Sequence, residues 1–419
     1  MTTRRQTLKT LEALATIQIV PSRVLGPNGQ TPPSEILTRG IIGCGGISSS
    51  HLTMPGKLLP LCDVDQRHLD ARINDAGAAA NGIKGYYDFC ELIARDDLDI
   101  VHLCTPPDWH VLMAIEAAKA GKDVWCEKPM SRTIGEGIPM VKAVEKHERI
   151  FRLNTWFRFQ GGFYGMKIPV VMLKKATMND LLGWPLKVTV SATTGFDWKF
   201  QWVGMKDLKP EPVPEGFDYD FWLGPAPKKP YNAHRTHQTF RGYWDYDGGG
   251  LGDMGMHYLD PVQYLLNKYD QAPISVEIDA DPQNADAVGS WRRIEFTYAD
   301  RCKIILDGEN KDEEAVYIEG PKGKIYPGLR SDIPDPEKID ALPDPPVQRT
   351  DFHEYVRSRK KFALNAQIGF WSCTLANMGI TAHRLNESLK FDSKTLKFDD
   401  PAADALIHQP MRAPWKITI

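Results

Sequence analysis

The segment GGGLGDMGMHYLDP, residues 248–261, holds the side chains best suited to acid–base chemistry. Asp253 and His257 are four residues apart, so in a helix both would lie on one face, one turn from each other. A histidine with a pKa of about 6.5 can accept a proton at neutral pH, and the carboxylate can orient the imidazole or bind a neighbouring hydroxyl. The glycines would leave room for a substrate and a cofactor before the helix begins. Pro261 predicts either a kink at His257 or a fresh helix capped by Asp260.

Lys128 adds a cation to this pair. It lies in CEKPM, residues 126–130, at the end of a strand-like segment. An ammonium group there can hydrogen-bond a reacting oxygen and stabilise developing alkoxide charge. Oxidation of an alcohol to a ketone needs a hydride acceptor, a base for the hydroxyl proton and a group that holds the oxygen. We therefore expect Lys128, Asp253 and His257 to be catalytic and to contact the substrate.

The glycine-rich segment GIIGCGGIS, which follows a strand-like run, indicates a site for the hydride acceptor. Gly43 would permit a tight turn, and Gly45 would let the backbone approach a pyrophosphate at the start of the next helix. Gly46 and Ile47 complete the predicted cofactor-binding turn. Ser48 replaces the third glycine of the G-x-G-x-x-G pattern, which would loosen the packing of the helix on the strand.

Asp63 ends the next strand, 18 residues after Gly45. A carboxylate at that place accepts hydrogen bonds from the adenine ribose of a dinucleotide. Asp63 and Asp65 would repel a 2′-phosphate, and the first arginine beside them is Arg67. The sequence therefore favours NAD as the cofactor, with NADP the less favoured alternative.

A further strand ends in CTPPDWH, residues 104–110. The crevice beyond the carboxyl ends of parallel strands is where such sheets bind ligands. Thr105 and Pro106 would face the cofactor, Trp109 could cover it, and His110 would lie beside it. The alternative is that Trp109 and His110 simply start a helix.

The elements that must position these residues divide the chain into two domains. In the first, short apolar strands alternate with helices, which predicts a Rossmann-type, doubly wound parallel sheet. In the second, strand-like runs with short connections predict an α+β domain with a large, mainly antiparallel open sheet. These runs are 187–196, 274–280, 291–298, 302–308 and 315–319, and the clearest helices are 88–99, 108–121, 134–148 and 368–387. We therefore expect an α/β protein with an export signal or N-terminal arm and linker (1–36), an NAD-binding Rossmann domain (37–157) and a substrate-binding and oligomerisation domain (158–419).

A long loop-rich region, 198–250, lies inside the second domain and is rich in tryptophan. Loops of this length are usually functional or disordered, and the aromatic content argues against disorder. Arg235 and His237 could hydrogen-bond sugar hydroxyls, while Tyr243 and Trp244 could offer flat faces for stacking. The region is therefore expected to bind the substrate.

Metal ions and disulfide bonds are not expected. His234 and His237 have the spacing of a metal-binding pair, but no third ligand can be placed beside them. The seven cysteines form no C-x-x-C pair, so they indicate neither a zinc ribbon nor a disulfide framework.

Two motifs resemble the signature of the Gfo/Idh/MocA oxidoreductases, the family of glucose–fructose oxidoreductase and inositol dehydrogenase. An E-K-P motif ends a strand about 80 residues after the glycine turn, and a D-x-x-x-H motif follows in the second domain. The resemblance spans about 38–390. It implies that Glu127 and Lys128 contact the cofactor and that Asn154 and Arg158 lie near the nicotinamide and the substrate.

The resemblance also implies hydride transfer between NAD and a hydroxyl of a sugar, a glycoside or a polyol. A glycoside hydrolase or lyase with tightly bound NAD, acting by transient oxidation, elimination and re-reduction, would use the same three catalytic residues and stays open as the alternative. A non-catalytic sensor on this fold is a third hypothesis, and the intact Lys128 and His257 argue against it.

Charge and the N-terminus bear on partners and location. The net charge of −3 and the pI of about 6.4 favour neither nucleic acid nor an anionic membrane surface as a partner. The segment TRRQTLK, residues 3–9, resembles a twin-arginine export signal, which predicts a periplasmic protein. The alternative is a cytoplasmic protein whose N-terminal arm packs on a partner subunit. Because an open sheet usually buries its exposed face by association, we expect a homodimer or a homotetramer.

Overall fold

The computed structural model describes residues 35–77, 82–155, 157–159, 169–191, 202–309, 315–327, 331–332 and 338–419. The twin-arginine segment lies outside the described residues, and so do residues 192–196 of one expected strand.

Within those ranges, the strands of the N-terminal sheet are β1 (Thr38–Ile42), β2 (Lys57–Cys62), β3 (Lys84–Tyr86), β4 (Ile100–Leu103), β5 (Asp123–Glu127) and β6 (Phe151–Asn154). All neighbours are parallel, in the order β3-β2-β1-β4-β5-β6. Strands β4, β5 and β6 are wholly buried, as expected of a parallel sheet that is covered on both faces. The strand order reverses between β1 and β4, so the ligand-binding crevice of this doubly wound sheet opens at their carboxyl ends.

The described helices of this domain are α1 (Ser48–Leu52), α2 (Gln66–Asp75), α3 (Phe89–Ile93), α4 (Pro107–Lys119) and α5 (Ile134–Lys146). Helix α3 is capped by Asp88 and is shorter than the helix expected at 88–99. The reason lies on β1, where Thr38 donates its hydroxyl to the Asp97 carbonyl oxygen at 2.7 Å and its N–H to the Asp99 carboxylate at 2.7 Å. These bonds hold the end of the segment against the sheet, outside a helix.

In the described part of the second domain, one sheet contains β7 (Lys187–Ser191), β8 (Ser275–Ala280), β9 (Trp291–Thr297), β10 (Lys303–Asp307), β11 (Ile318–Gly320), β12 (Gly323–Ile325), β13 (Leu389–Asp392) and β14 (Lys397–Phe398). The order is β12-β11-β7-β10-β9-β8-β13-β14. Strands β8, β9 and β10 form the expected antiparallel meander, whereas β7 runs parallel to β10. Alternation along β9 buries Ile294 and Phe296 and leaves Arg293 and Glu295 partly exposed on the other face.

The helices described in this domain are α6 (Val170–Met178), α7 (Tyr219–Leu223), α8 (Met256–Leu265), α9 (Lys338–Ala341), α10 (Phe352–Ser358), α11 (Ala366–Leu385) and α12 (Pro401–Ala405). Helix α11 packs against α5 of the first domain and against α8 and β8 of the second. The hydrophobic core is continuous across this boundary, where the Met130 N–H donates to Cys373 Sγ at 3.1 Å. The end of β5 is thereby fixed relative to α8. Over the described ranges, no helix combines the length and the apolar character that crossing a bilayer requires.

From residue 202 onward, the loop-rich region is an ordered layer of short helices, here called the aromatic layer (residues 202–250). It contains α7 and 3₁₀ turns at Ala233–Arg235 and His237–Gly242. Its buried side chains form a separate core around Phe217, Tyr219, Trp222, Tyr231, Phe240, Tyr243 and Tyr246. These contacts explain why so long a connection is ordered, as its aromatic content predicts.

The glycine-rich segment enters α8 through a π-helical turn, Leu251–Gly255. Helix α8 then runs unbroken from Met256 to Leu265 with Pro261 inside it, so no fresh helix starts there. Asp260 does not act as a cap, because its carboxylate accepts hydrogen bonds from Arg158 at 2.5 and 2.9 Å.

Candidate active site

A cavity of about 820 Å³ lies where the carboxyl ends of the parallel strands face the aromatic layer. The glycine turn lines one part of it, and Lys128, Asp253 and His257 line another. Its volume falls in the range of about 300–1,000 Å³ that is usual for ligand pockets. The fold therefore brings the predicted cofactor turn and the three predicted catalytic residues to one cavity.

The glycine turn presents bare backbone to this cavity. Gly43 has φ +91°, and a Cβ on it would lie 2.7 Å from the backbone just after β4, so only glycine fits. A Cβ on Gly45 or Gly46 would meet no atom within 4 Å, because both face open space. Arg72 Nη2 donates to the Gly45 carbonyl oxygen at 2.9 Å and fixes the turn, while Ile47 also lines the cavity. The turn fits the close approach of a dinucleotide phosphate.

Asp63 is held at the end of β2 beside the turn. Its two carboxylate oxygens accept the Cys44 N–H at 2.6 Å and the Asp65 N–H at 2.8 Å. Burial raises the pKa of Asp63, and these two hydrogen bonds oppose the rise. Asp65 pairs with Arg67 at 2.7 Å; burial opposes its ionisation, but the hydrogen bonds and charge of Arg67, together with His68, outweigh burial and keep the pKa of Asp65 below its usual range. Asp63 lines the cavity and fits the position expected of the ribose-binding acid.

Thr105, Pro106 and Trp109 also line the cavity, but His110 does not reach it. The Trp109 indole N–H donates to the Trp222 carbonyl oxygen at 2.9 Å, so this side chain is a fixed wall. His110 is fully buried, with its ring nitrogens 2.7 Å from the Pro129 carbonyl oxygen and 2.9 Å from that of Thr105. The expectation that His110 contacts the cofactor is corrected: it ties together two loops of the cavity wall.

Glu127, at the end of β5, lines the cavity and belongs to a buried hydrogen-bond network. Its Oε1 accepts from Asn154 Nδ2 at 2.6 Å and lies 2.7 Å from His51 Nε2. Burial would raise the pKa of Glu127, but the hydrogen bonds from His51 and Asn154 outweigh it, so the pKa lies below its usual range. Asn154 is not among the lining residues, so the structure assigns it to positioning Glu127 and not to direct contact with the cofactor.

Lys128 and Asp253 meet across the domain boundary. Lys128 Nζ donates to both the carbonyl oxygen and Oδ1 of Asp253, each at 2.6 Å. Arg241 Nε lies 2.8 Å from the same Oδ1, and the Trp202 indole N–H donates to Oδ2 at 2.8 Å. Burial opposes ionisation of Asp253, yet the charges of Lys128 and Arg241 overcome it and hold its pKa well below the usual range. Asp253 is therefore a carboxylate that fixes the lysine ammonium group.

His257 lies on α8 and lines the cavity next to the Phe157 ring, with the two ring centres 5.2 Å apart. Burial, aided by the charge of Lys128, lowers the pKa of His257 to about 3. Its imidazole is thus neutral at pH 7 and able to accept a proton, but its pKa departs from the ordinary value that the sequence alone suggests. The pKa is lower because the His257 side chain is buried near the positive charge of Lys128, and both disfavour protonation.

The glycines before α8 are explained by close packing. Gly249 has φ +67°, a conformation that favours glycine. A Cβ on Gly252 would lie 1.8 Å from Oδ1 of Asp247. The π-helical turn that contains Asp253 also widens the helix, a feature that often marks functional sites.

Arg158 lies away from the substrate side of the cavity. Its guanidinium forms a buried, two-pronged ion pair with Asp260, whose Oδ1 also accepts the Ser372 hydroxyl at 2.9 Å. Arg158 does not line the cavity. The expectation of substrate or nicotinamide contact is corrected, because the guanidinium is buried and directed at Asp260.

Three predicted sugar-binding residues support the aromatic layer instead. Arg235 pairs with Asp286 at 2.7 and 3.1 Å and lies over the Tyr243 ring, 4.6 Å from its centre. The Tyr243 hydroxyl lies 2.7 Å from His234 Nδ1, and the Trp244 indole N–H donates to a backbone carbonyl oxygen at 3.0 Å. None of Arg235, Tyr243 and Trp244 lines the cavity, and Trp244 borders a separate cavity of about 280 Å³. Their role as substrate contacts is therefore corrected.

His237 does line the cavity, but beside the end of β2. Its Nε2 lies 3.2 Å from Oδ2 of Asp65, and burial lowers the pKa of His237 to about 4. Ligand-type atoms of Asp65, His68 and His237 lie within 4.8 Å of one another. A metal ion there would compete with Arg67 for Asp65, which also caps α2. His237 therefore lies on the cofactor side and not beside Lys128.

Sequence reasoning missed several lining residues, namely Trp202, Gln238, Phe240, Arg241 and Asp247. All belong to the aromatic layer immediately before the D-x-x-x-H motif. The tryptophan-rich loop was the available signal, but it could not show which of its side chains face inward.

Comparison with protein-family models agrees with this architecture. Residues 37–155 match the NAD-binding Rossmann fold of the Gfo/Idh/MocA oxidoreductases. Residues 166–417 match the C-terminal alpha/beta domain of the same oxidoreductase family. Together these matches cover more than half of the chain, and the glycine turn lies in the NAD-binding part.

Individual relatives are more distant. A glycosyl hydrolase family 109 protein of Shewanella baltica is 31% identical over 128 residues, 28% of either chain. An inositol 2-dehydrogenase of Salmonella paratyphi B is 28% identical over 159 residues, 36% of this chain and 44% of that protein. The match thus spans less than half the length of either relative. The WlbA dehydrogenase of Bordetella pertussis, solved with NADH and UDP-GlcNAcA, has the same fold, with a TM-score of 0.58, 20% identity, and coverage of 85% of this chain and 99% of that one. The two family-model matches show that the chain belongs to the Gfo/Idh/MocA oxidoreductase family.

Proposed function

We propose that the protein transfers a hydride between NAD and a hydroxyl-bearing carbon of a sugar, a glycoside or a polyol. The observation that carries this proposal is the contact between Lys128 of the first domain and Asp253 of the second, 2.6 Å apart in the cavity that also contains the glycine turn. His257 lines the same cavity. An ammonium group, a fixed carboxylate and a neutral imidazole beside a dinucleotide turn are the groups that alcohol oxidation requires.

Each of the three residues has a distinct role. Lys128, held by Asp253, donates a hydrogen bond to the reacting oxygen and stabilises its negative charge as the hydroxyl proton leaves. His257 is neutral at pH 7 and accepts that proton on its imidazole nitrogen. The nicotinamide, when bound, supplies the acceptor for the hydride from carbon. Asp253 stays ionised, since Lys128 and Arg241 both hold its pKa low.

The cofactor is NAD in this proposal, and NADP is disfavoured. Asp63 and Asp65 stand together at the end of β2, and Asp63 lines the cavity. The Asp63 carboxylate suits ribose hydroxyls and would repel a 2′-phosphate. Arg67, the nearest cation in sequence, is already paired with Asp65.

A glycoside hydrolase or lyase that uses bound NAD is the second candidate. It is favoured by the similarity to a protein named for glycosyl hydrolase family 109. Purified protein incubated with a panel of polyols, sugars and glycosides, with and without added NAD, tests both. Net growth of NADH absorbance supports the dehydrogenase. Aglycone release without net NADH supports the second candidate, and binding without either result contradicts both.

We also propose that the chain is exported and assembles with copies of itself. The resemblance of residues 3–9 to a twin-arginine signal supports periplasmic location. The open sheet, whose β8–β10 strands leave one face partly exposed, supports a homodimer or a homotetramer. Cell fractionation of wild type and of a double variant with Arg4→Lys and Arg5→Lys tests the location, and light scattering of the purified protein tests the assembly.

A further inference from the structure

The cavity contains a second buried carboxyl group that the oxidation step does not use. Asp247 lies in the aromatic layer, just before its final glycines, is only 5% exposed, and lines the cavity together with Lys128, Asp253 and His257. Oxidation of a hydroxyl needs a base and an oxygen-holding group, and both are supplied without Asp247. Its presence beside the reacting groups therefore calls for another role.

The contacts of Asp247 fix its position without an ion pair. Its Oδ1 accepts the Gly248 N–H at 2.7 Å, and the absence of a side chain on Gly252 leaves the space that Oδ1 fills. Among the described residues, Asp247 makes no ion pair, whereas Asp253 makes one with Lys128 and one with Arg241. Of the two carboxyl groups in this cavity, Asp253 is thus paired with two cations, whereas Asp247 is paired with none among the described residues.

The charges around Asp247 support the same distinction. Burial and the neighbouring Asp253 carboxylate raise the pKa of Asp247 to about 7, while Arg241, the Gly248 N–H and Lys128 oppose the rise. Asp247 also borders the cavity of about 280 Å³, whose other charged or titratable lining residues are Arg132, Asp245, Arg384 and His408. One carboxyl group is therefore kept ionised while its neighbour can hold a proton near neutral pH. Such divergence within one site separates an acid from a stabilising carboxylate.

We propose that Asp247 is the acid that protonates the departing oxygen when a glycoside oxidised in this cavity eliminates its aglycone. The inference rests on the proposed redox function and narrows the substrate class to sugars that carry an O-linked group on the second carbon from the oxidised one.

The elimination balances without any further reactant. Oxidation leaves a ketone, and its oxygen is held by Lys128. His257, having released the hydroxyl proton to solvent, accepts the proton on the carbon next to the ketone. The electrons of that C–H bond form a carbon–carbon double bond, and the bond from the following carbon to the aglycone oxygen breaks. Asp247 gives its proton to this oxygen, so that the aglycone leaves as an alcohol and Asp247 becomes a carboxylate.

The test compares Asp247→Asn with wild type on methyl, phenyl and 4-nitrophenyl glycosides of common hexoses and N-acetylhexosamines, with NAD bound. A 4-nitrophenolate leaves without protonation, whereas a methoxide needs an acid. We expect the variant to release methanol at least about 10²-fold more slowly and 4-nitrophenol within about threefold of the wild-type rate. Asp245→Asn, an acid that lines only the neighbouring cavity, is the matched control and should behave as wild type.

A second measurement does not depend on the substrate. Difference infrared spectra of wild type and Asp247→Asn, recorded across pH 5–9, should show a protonated carboxyl band in wild type that fades near pH 7 and is absent from the variant. Unchanged leaving-group dependence in the variant, or absence of this band, overturns the assignment. If wild type forms NADH with these sugars but releases no aglycone, the inference fails and the redox function stands. If none of these sugars reduces the bound NAD, the result contradicts the proposed redox function itself.

Discussion

The ammonium group of Lys128 is positioned by Asp253 on the other domain, and not by neighbours on its own strand. The carboxylate also forms an ion pair with Arg241 and accepts a hydrogen bond from Trp202, so its charge stays compensated when the lysine turns to a substrate oxygen. Removing one partner of a buried ion pair usually destabilises a protein by about 3–5 kcal/mol, because a charge is left unpaired. Here Arg241 and Trp202 remain beside Asp253, so we expect replacement of Lys128 to cost less stability than this.

His257 makes stability depend on pH. Its pKa is lowered by burial and by Lys128 from 6.5 to about 3, so below pH 6.5 the unfolded chain binds a proton that the folded chain refuses. Stability from this residue is therefore complete above pH 6.5 and is lost as pH falls toward 3. Between pH 7 and pH 5, the loss is about 2 kcal/mol in the free energy of unfolding.

We expect His257→Gln to lose less stability than wild type over that pH interval, as measured by denaturant unfolding at pH 7 and pH 5. His408→Gln, at an exposed position, should keep the wild-type dependence. Equal pH slopes for wild type and His257→Gln would show that the imidazole is not enclosed.

Asp63 sets the preference for the dinucleotide. In Asp63→Asn the charge that repels a 2′-phosphate is lost, and so is one acceptor for the Cys44 and Asp65 N–H groups. We expect NAD affinity to fall by about 10-fold or more and the ratio of NAD to NADP affinity to shrink, as measured by titration calorimetry. Asp70→Asn, at an exposed position on α2, should bind NAD as wild type does. Unchanged selectivity in Asp63→Asn would place the ribose elsewhere.

Residue types and spacing could predict which positions lie near the cavity, but not where every side chain points. Thr105, Asp63 and Glu127 line it, as their places at strand ends suggest. His110, expected there from the strand end before it, and Arg158, expected there from the family resemblance, turn into the protein instead. Their partners, a carbonyl oxygen across a loop and a carboxylate 102 residues away, cannot be read from local sequence.

At the scale of elements, the π-helical turn Leu251–Gly255 depends on the absence of side chains. In Gly252→Ala the new Cβ would lie 1.8 Å from Oδ1 of Asp247, so either the turn or the acid must move. We expect the variant to lose about 1–3 kcal/mol of unfolding free energy and most of its turnover, as measured by denaturant unfolding and NADH formation.

Gly46→Ala is the matched control for stability, since its Cβ would meet no atom within 4 Å. It should unfold at the wild-type denaturant concentration. If Gly252→Ala does the same, the close approach of Gly252 and Asp247 is not present in the protein.

Element types follow from periodicity more readily than element ends. The alternation of apolar strands and helices predicts the parallel sheet, and the meander β8–β10 follows from its short connections. The end of α3 could not be predicted from periodicity, because Thr38 on a distant strand binds Asp97 and Asp99 and holds them out of the helix. Likewise, Pro261 is carried inside α8, where tertiary packing overrides its local preference.

For the whole molecule, α11 packs against both domains and so fixes the distance between the end of β5 and α8. The motifs predict that each domain carries catalytic residues, but only the packed core shows that Lys128 and Asp253 come within 2.6 Å. The aromatic layer then closes the cavity with Trp202 and Arg241, which no motif marks.

The central claim is that this cavity is a redox site whose oxygen-holding cation is Lys128. The most direct test is a single-turnover experiment in which NAD-loaded wild type and Lys128→Met are mixed with the carbohydrate and polyol panel, and NADH absorbance is followed over time. We expect wild type to form NADH with at least one class of substrate, whereas Lys128→Met binds NAD normally and forms it at least about 10²-fold more slowly. Lys119→Met, which removes an unrelated lysine of α4, should match wild type. NADH formation by Lys128→Met at the wild-type rate would contradict the account.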